Sequence, residues 1–234
     1  MTIRDNIPQH MAELKAWLKE TDAQKLEDMA GFFRVRLDDY EEHMALWRDA
    51  YLEMERRLPE KVETLLDLGC GTGLELDAIL ARRPQLQVTG VDLCPQMLEK
   101  LQQKHPQVHT VCADYFSHDP GENQFDAVIH FETLHHFTPE KKAGLYRSIH
   151  RALKPGGAYL QAEYVACCAE EETLLWETFR RKRERDCIPE EQFVHFDAPL
   201  TLEHELALLC GAGFLRPHAP CSINGACFII CTKA

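Results

Sequence analysis

Between Leu65 and Gly73 the chain reads Leu-Leu-Asp-Leu-Gly-Cys-Gly-Thr-Gly, and an apolar, helix-spaced stretch follows from Leu74 to Arg83. A short apolar run that breaks into alternating glycines and resumes as a helix predicts a strand, a tight loop and a helix. Glycines at Gly69, Gly71 and Gly73 let the backbone adopt positive φ and let a ligand approach the peptide groups. The helix that follows presents free N–H groups at its start. This unit constrains the whole fold, because a strand followed by a crossover helix commits the chain to a parallel sheet.

The rest of the chain keeps that alternation. Short apolar runs at Val62–Leu68, Gln87–Val91, Val108–Cys112, Phe125–Phe131 and Ala158–Val165 predict strands, with helices at Pro95–His105 and Lys141–Leu153 between them. Lys154-Pro155-Gly156-Gly157 is read as the turn that ends the second of these helices. Alternating strands and helices imply an α/β domain with helices on both faces of the sheet. Ahead of it, Asn6 to Arg57 carries helical spacing, with Met11, Leu14 and Leu18 and then Leu46, Ala50 and Met54 in register, broken by the aromatic stretch Gly31–Tyr40. Residues 1–58 are therefore read as an N-terminal helical cap and 59–234 as the core, with a helical insert at about 166–200. Two last strands, near Phe214–Pro217 and Ala226–Thr232, flank Ser222-Ile223-Asn224-Gly225 and predict a closing hairpin.

Composition narrows the partners. The net charge is -12, from 26 Lys+Arg against 38 Asp+Glu. Such a chain repels phosphate backbones, so nucleic acid is not the expected partner. The basic run Arg180-Arg181-Lys182-Arg183 is read as a solvated helix face. Ten cysteines show no CxxC spacing, the first residues carry charges where a leader needs an apolar core, and no apolar run spans a bilayer. A cytoplasmic chain with free thiols, acting as monomer or homodimer on a small molecule away from membranes, is the expectation.

Acidic residues at the strand tips point to the ligand. Asp92 ends the strand Val88–Val91, where a carboxylate suits a ribose diol. Asp67 sits inside an apolar strand and must find partners. Asp114, in Cys112-Ala113-Asp114-Tyr115, can accept from an adenine amino group. Leu74 stands where a dinucleotide fingerprint wants a small residue, which favours S-adenosylmethionine over NAD.

With these motifs the chain resembles the class I S-adenosylmethionine-dependent methyltransferases of small-molecule type, with the closest likeness over Lys61–Gly157. The resemblance implies a Rossmann-like, seven-stranded, mostly parallel sheet whose last strand is antiparallel. It also implies S-adenosyl-L-methionine as cofactor and S-adenosyl-L-homocysteine as product. Gly69, Cys70, Gly71 and Gly73 would cradle the methionine part, with Asp67 close by. Asp92 would hold the ribose, with Leu93 and Met97 packed near it. Asp114 and Tyr115 would sit at the adenine edge, and Phe131 beside the methionine portion. Tyr40 is read either as reaching the site from the cap or as an aromatic staple within it.

After the fourth strand comes Glu132-Thr133-Leu134-His135-His136-Phe137. Glu132 can orient an acceptor, and His135 or His136 can take a proton; alternatively the segment starts a helix and one histidine packs internally. Neighbouring helix residues point about 100° apart, so the two histidines are not expected to share an ion, although His195-Phe196-Asp197 could add ligands; no metal is expected. Glu163 either faces the acceptor or caps nearby backbone. A chain that binds the cofactor without turnover, acting as a regulatory protein, is the alternative.

Overall fold

The computed structural model describes residues 6–37 and 39–234; residues 1–5, on which part of the leader reading falls, and Asp38 lie outside the described residues. The N-terminal region is a series of short helices. α1 spans Ile7–Glu20 and is capped by Asn6, whose side chain accepts from Gln9 N at 3.1 Å. A two-residue strand β1, Glu27–Asp28, leads into α2, Met29–Val35, with Asp28 accepting from Gly31 N at 3.0 Å. α3 (Tyr40–Met44), one 3-10 turn and α4 (Arg48–Arg57) follow, and Leu58 turns extended ahead of Pro59.

The core then alternates as expected: β2 Thr64–Leu68, α5 Leu74–Arg82, β3 Gln87–Asp92, α6 Pro95–Lys104, β4 His109–Cys112, β5 Phe125–Phe131, α7 Pro139–Ala152 and β6 Leu153–Tyr164. After these come α8 (Ala169–Arg185), the two-residue β7 (Val194–His195), α9 (Leu202–Gly211), β8 (Leu215–Ile223) and β9 (Ala226–Thr232). One correction falls at Lys154-Pro155-Gly156-Gly157. These residues are the irregular start of β6 rather than a separate turn, and the β5–β6 register jumps from Phe125↔Leu153 to Ala127↔Ala158 to absorb them.

The sheet has seven strands in the order β4-β3-β2-β5-β6-β9-β8. β9 runs antiparallel to both β6 and β8, while the remaining neighbours are parallel. The order reverses between β2 and β5, and carboxyl ends of strands at such a switch point are where α/β sheets bind ligands. Alternate residues feed two cores. Leu65, Ala127, Ile129, Leu160 and Phe228 pack on one face, with Tyr51 and Met54 of α4 and Leu76 and Ile79 of α5. Leu66, Val128, Tyr159 and Ile229 pack on the other, with Tyr146 and Ile149 of α7 and Leu209 of α9. Burial on both faces explains why these strands read as continuous apolar runs.

A third, smaller core joins Leu18 of α1 to Leu175 and Phe179 of α8 and to Val194, Phe196 and Ala198. β1 pairs antiparallel with β7, Glu27 opposite His195, so the cap and the insert are zipped together. The basic run is not simply a solvated face. Lys182 is buried and donates to the carbonyls of Thr21 (2.7 Å) and Gln24 (3.1 Å), fixing the end of α1.

α7 and α9 are held by a fully buried network in which Lys142 pairs with Glu205 and Tyr146 donates to Glu205 at 2.7 Å. Breaking one partner of a buried pair leaves an uncompensated charge. Glu205→Gln should therefore destabilise the chain by about 3–5 kcal/mol in urea unfolding, while the apolar double replacement Lys142→Met with Glu205→Leu should cost far less. Equal losses in the two would contradict this account.

Candidate active site

The strand tips of β2, β3, β4, β5 and β6 open onto one cavity of about 700 Å³, within the range of small-molecule sites. The glycine loop forms its floor. Gly69 has φ +73, and a Cβ there would stand 2.5 Å from Thr133 Cγ2; Gly73 has φ +74, and a Cβ would stand 2.4 Å from Leu101 Cδ1. Both positions exclude a side chain by conformation and by space. Gly71 instead faces the cavity, and where its Cβ would be, the Tyr40 hydroxyl lies 3.6 Å away.

Asp67 lies beneath the loop. It is fully buried, and neither oxygen accepts a hydrogen bond from an N–H or hydroxyl among the described residues. Its neighbour is the carboxyl of Glu75 in the first turn of α5. Burial, reinforced by Glu75, pushes Asp67 well above the usual carboxylate range, and burial pushes Glu75 up to about 7. Two buried carboxyls side by side cannot both ionise, so the pair shares a proton.

Along one wall, Asp92 accepts from Gly71 N (2.9 Å) and Cys94 N (2.7 Å), locking the β3 tip to the glycine loop. Burial nevertheless raises its pKa. Leu93, Met97, Asp114 and Tyr115 line the cavity beside it, and Asp114 accepts from Phe116 N at 2.8 Å. Tyr115 donates to the Thr133 carbonyl at 3.4 Å.

The opposite wall is organised by Glu163. This buried carboxylate accepts from the consecutive N–H groups of Thr133 (2.7 Å), Leu134 (2.7 Å) and His135 (3.1 Å), and from His135 Nδ1 (2.8 Å). His130 Nε2 lies 3.0 Å from Oε1, the oxygen that also accepts from Thr133 and Leu134. Burial opposes its charge, but the His135 and His130 rings outweigh it and hold Glu163 well below the usual range. Glu163 thus caps backbone, one of the two roles the sequence left open. His135 in turn is flanked by Glu163 and Asp197, which overcome the penalty of burial and raise its pKa well above the usual histidine value. His136, buried beside that charge, is shifted well below it. Glu132 sits at φ +51, a strained conformation for a side chain with Cβ. Burial pushes its carboxyl up to about 8, and its Oε1 is buried without a hydrogen-bond partner among the described residues.

The roof comes from chain-distant segments. Arg36 lies 3.7 Å over the Phe32 ring and is bidentate to Glu27 (2.9 and 3.1 Å). Phe32 stacks on His195 at 3.5 Å between centroids. Phe116, Phe137 and Phe193 interlock at 4.6–5.8 Å. The Asn224-Gly225 turn of the β8–β9 hairpin closes one edge, with Asn224 donating to the Leu46 carbonyl at 2.7 Å.

Of the residues singled out from sequence, Tyr40, Gly69, Gly71, Asp92, Leu93, Met97, Asp114, Tyr115, Phe131, Glu132, His135 and His136 line the cavity. Cys70 and Gly73 do not: the Cys70 thiol is buried under Gly90, where a Cβ would stand 2.7 Å from Sγ, and Gly73 packs on α6. Asp67 is one layer behind the lining. The helix geometry invoked to separate His135 and His136 does not apply, because the segment is an irregular turn ahead of α7 and their ring centroids are 4.0 Å apart. The stretch from Phe32-Phe33 to Tyr40, whose likeness to a family segment over the cofactor the sequence also offers, does line the roof; sequence reasoning missed Glu75, whose only signal was its place in the first turn after the loop, and the roof residue Phe193.

Residues 65–157 match the family model described as a methyltransferase domain. The chain is 29% identical over 170 residues to a carboxy-S-adenosyl-L-methionine synthase from Campylobacter curvus, covering 68% of this chain and 72% of that protein. It is 30% identical over 138 residues to a malonyl-[acyl-carrier protein] O-methyltransferase from Halorhodospira halophila, covering 56% of this chain but less than half, 46%, of that protein. The fold is similar to human N-acetylserotonin methyltransferase, solved in complex with S-adenosylmethionine, with TM-score 0.65 and 18% identity over 97% of this chain and 66% of the other.

The shared proton of Asp67 and Glu75 has a consequence for stability. The folded chain keeps Glu75 protonated up to about 7, against 4.5 for an ordinary glutamate, so its contribution is full below about pH 4.5 and is lost as pH rises toward 7. The urea midpoint of the wild type should fall from about pH 5 to about pH 7.5, and Glu75→Gln should flatten that slope. Parallel slopes in the two proteins would show that the pair does not share a proton.

Proposed function

Because the chain belongs to the class I S-adenosylmethionine-dependent methyltransferases, we propose that it catalyses methyl transfer from S-adenosylmethionine to a small, largely apolar acceptor in the cavity described above. The observation that carries this reading is the junction of Asp92 with Gly71 N at the floor of the cavity, with an open glycine face beside it. Its residues fit the ligand. Asp92 keeps carboxylate lone pairs for the ribose hydroxyls after its two backbone contacts. Leu93, Met97 and Tyr115 offer apolar surface, and Asp114 an acceptor, for the adenine. Gly69, Gly71 and Phe131 border the methionine portion, with Tyr40 over it.

Bound there, the cofactor supplies a methyl already activated by positive sulfur. The protein's task is then to align the two reactants and exclude water. The Phe116, Phe137 and Phe193 rings give the acceptor flat apolar walls, and the cap–insert zipper keeps bulk solvent out. Glu132 and the two histidines stand where a proton of the acceptor would be received or an acceptor group oriented. The acidic surface, at net charge -12, disfavours nucleic acid as the acceptor. No helix among the described residues is long and apolar enough to cross a membrane.

A second reading draws on the synthase relative, which is named for a carboxylated form of the cofactor. An added carboxylate would meet Asp92, Asp114 and Asp197 in this cavity, and Arg36 is already paired with Glu27. We favour methyl transfer on that ground.

Isothermal titration tests the cofactor site. Wild type should bind S-adenosylmethionine, and Asp92→Ala should weaken binding by about 10- to 100-fold, the loss of one or two hydrogen bonds to a charged acceptor. Asp92→Asn, which keeps an acceptor for the loop N–H groups, serves as the folding control and should weaken it less. Absence of binding by the wild type, or equal affinity across the three proteins, would refute the assignment.

A further inference from the structure

We propose that His135, His136 and Asp197 form a binding site for one divalent first-row transition-metal ion on the wall of the cavity, with open coordination positions facing the acceptor. One donor atom from each residue lies within 4.8 Å of those of the other two. Asp197 Oδ1 stands 3.5 Å from His135 Nε2 and 3.3 Å from His136 Nδ1. Around a tetrahedral ion with bonds of about 2.0–2.2 Å, neighbouring ligand atoms are separated by about 3.3–3.6 Å, so both measured distances are the edges such an ion needs.

The surroundings match those of a catalytic metal rather than a structural one. Three protein ligands leave at least one position open, and all three residues line the cavity. His135 carries the outer partner that metal-bound histidines usually have: its Nδ1 lies 2.8 Å from the buried Glu163 carboxylate, which aims Nε2 at Asp197. Two imidazoles and one carboxylate are a donor set suited to Zn²⁺, Fe²⁺, Mn²⁺ or Co²⁺. His136 Nδ1 also contacts the Phe196 carbonyl at 3.1 Å, so an ion there competes with one hydrogen bond. His195, with its ring centroid 4.6 Å from that of His136, shields the site from the roof side.

The sequence separates these ligands by 61 residues, and the fold joins them. The backbone of Ala198 donates to the His135 carbonyl at 2.8 Å, so the segment carrying Asp197 is tied directly to the turn carrying the histidines. An ion in this position would hold an oxygen of the acceptor at the cavity wall. The metal site stands on its own geometry; only that role toward the acceptor rests on the methyltransferase reading.

The test is titration of the full-length protein with cobalt(II) chloride, followed by visible absorption. Wild type should bind one Co²⁺ per chain with ligand-field bands and without the near-ultraviolet charge-transfer band of cysteine ligation. Asp197→Asn and His136→Gln should each weaken Co²⁺ binding by about 10-fold or more. Asp197 is half-exposed, and the far-ultraviolet circular dichroism of each variant, matching that of the wild type, shows that lost Co²⁺ binding is not lost folding. Lack of a Co²⁺ spectrum, a thiolate band in its place, or unchanged affinity in both variants would overturn the proposal. Cofactor binding without cobalt binding would overturn the metal site alone, and the converse would overturn the methyltransferase reading alone.

Discussion

Three successive backbone N–H groups, those of Thr133, Leu134 and His135, converge on the single carboxylate of Glu163. The cavity's chemistry hangs on this convergence. Without it, the turn after β5 would have to satisfy those donors elsewhere, since buried N–H groups are rarely left unpaired. With it, Glu132 is held in a left-handed conformation, the His135 ring is oriented, and Thr133 is pressed against Gly69, where there is room only for glycine. The tip of β6 therefore sets the shape of the glycine loop two strands away. A carboxylate in the middle of a sheet edge is normally costly. Here the cost is offset by four hydrogen bonds and two imidazole rings.

Much of this was legible in the sequence, because the relevant signals are local. The strand–glycine–helix unit around Leu65–Gly73 carries its own conformational logic, and the apolar runs on either side report strands buried on both faces. Asp92, Asp114 and Glu132 fall at strand tips by counting alone. The Asn224-Gly225 pair marked the hairpin for the same reason: two residues of positive φ in succession need those side chains, and the structure gives φ values of 49° and 101° there.

What could not be read is what the chain joins across long separations. β1 and β7 have two residues each, with no periodicity to reveal them, and their pairing is fixed by Phe32, His195 and Arg36 only once the fold is made. Glu75 looked like an ordinary acidic residue in the first turn of a helix, where carboxylates are common; only burial beside Asp67 makes it unusual. The local conformation at His135 and His136 was hidden for a physical reason. Helical spacing was assumed for a segment that is a turn, and turns can bring adjacent rings to one side.

The zipper between Glu27–Asp28 and Val194–His195 makes one ceiling of two chain-distant segments, set over a floor of strand tips. The floor is built from strands with extensive pairing and two large cores, whereas the ceiling is joined by two main-chain pairings, stacked rings and a third, smaller core. Substitutions in the ceiling can reshape what the enclosure admits without touching the strand tips and glycine loop beneath it. A chain organised in this way can diversify the molecules it accepts while its donor site stays constant.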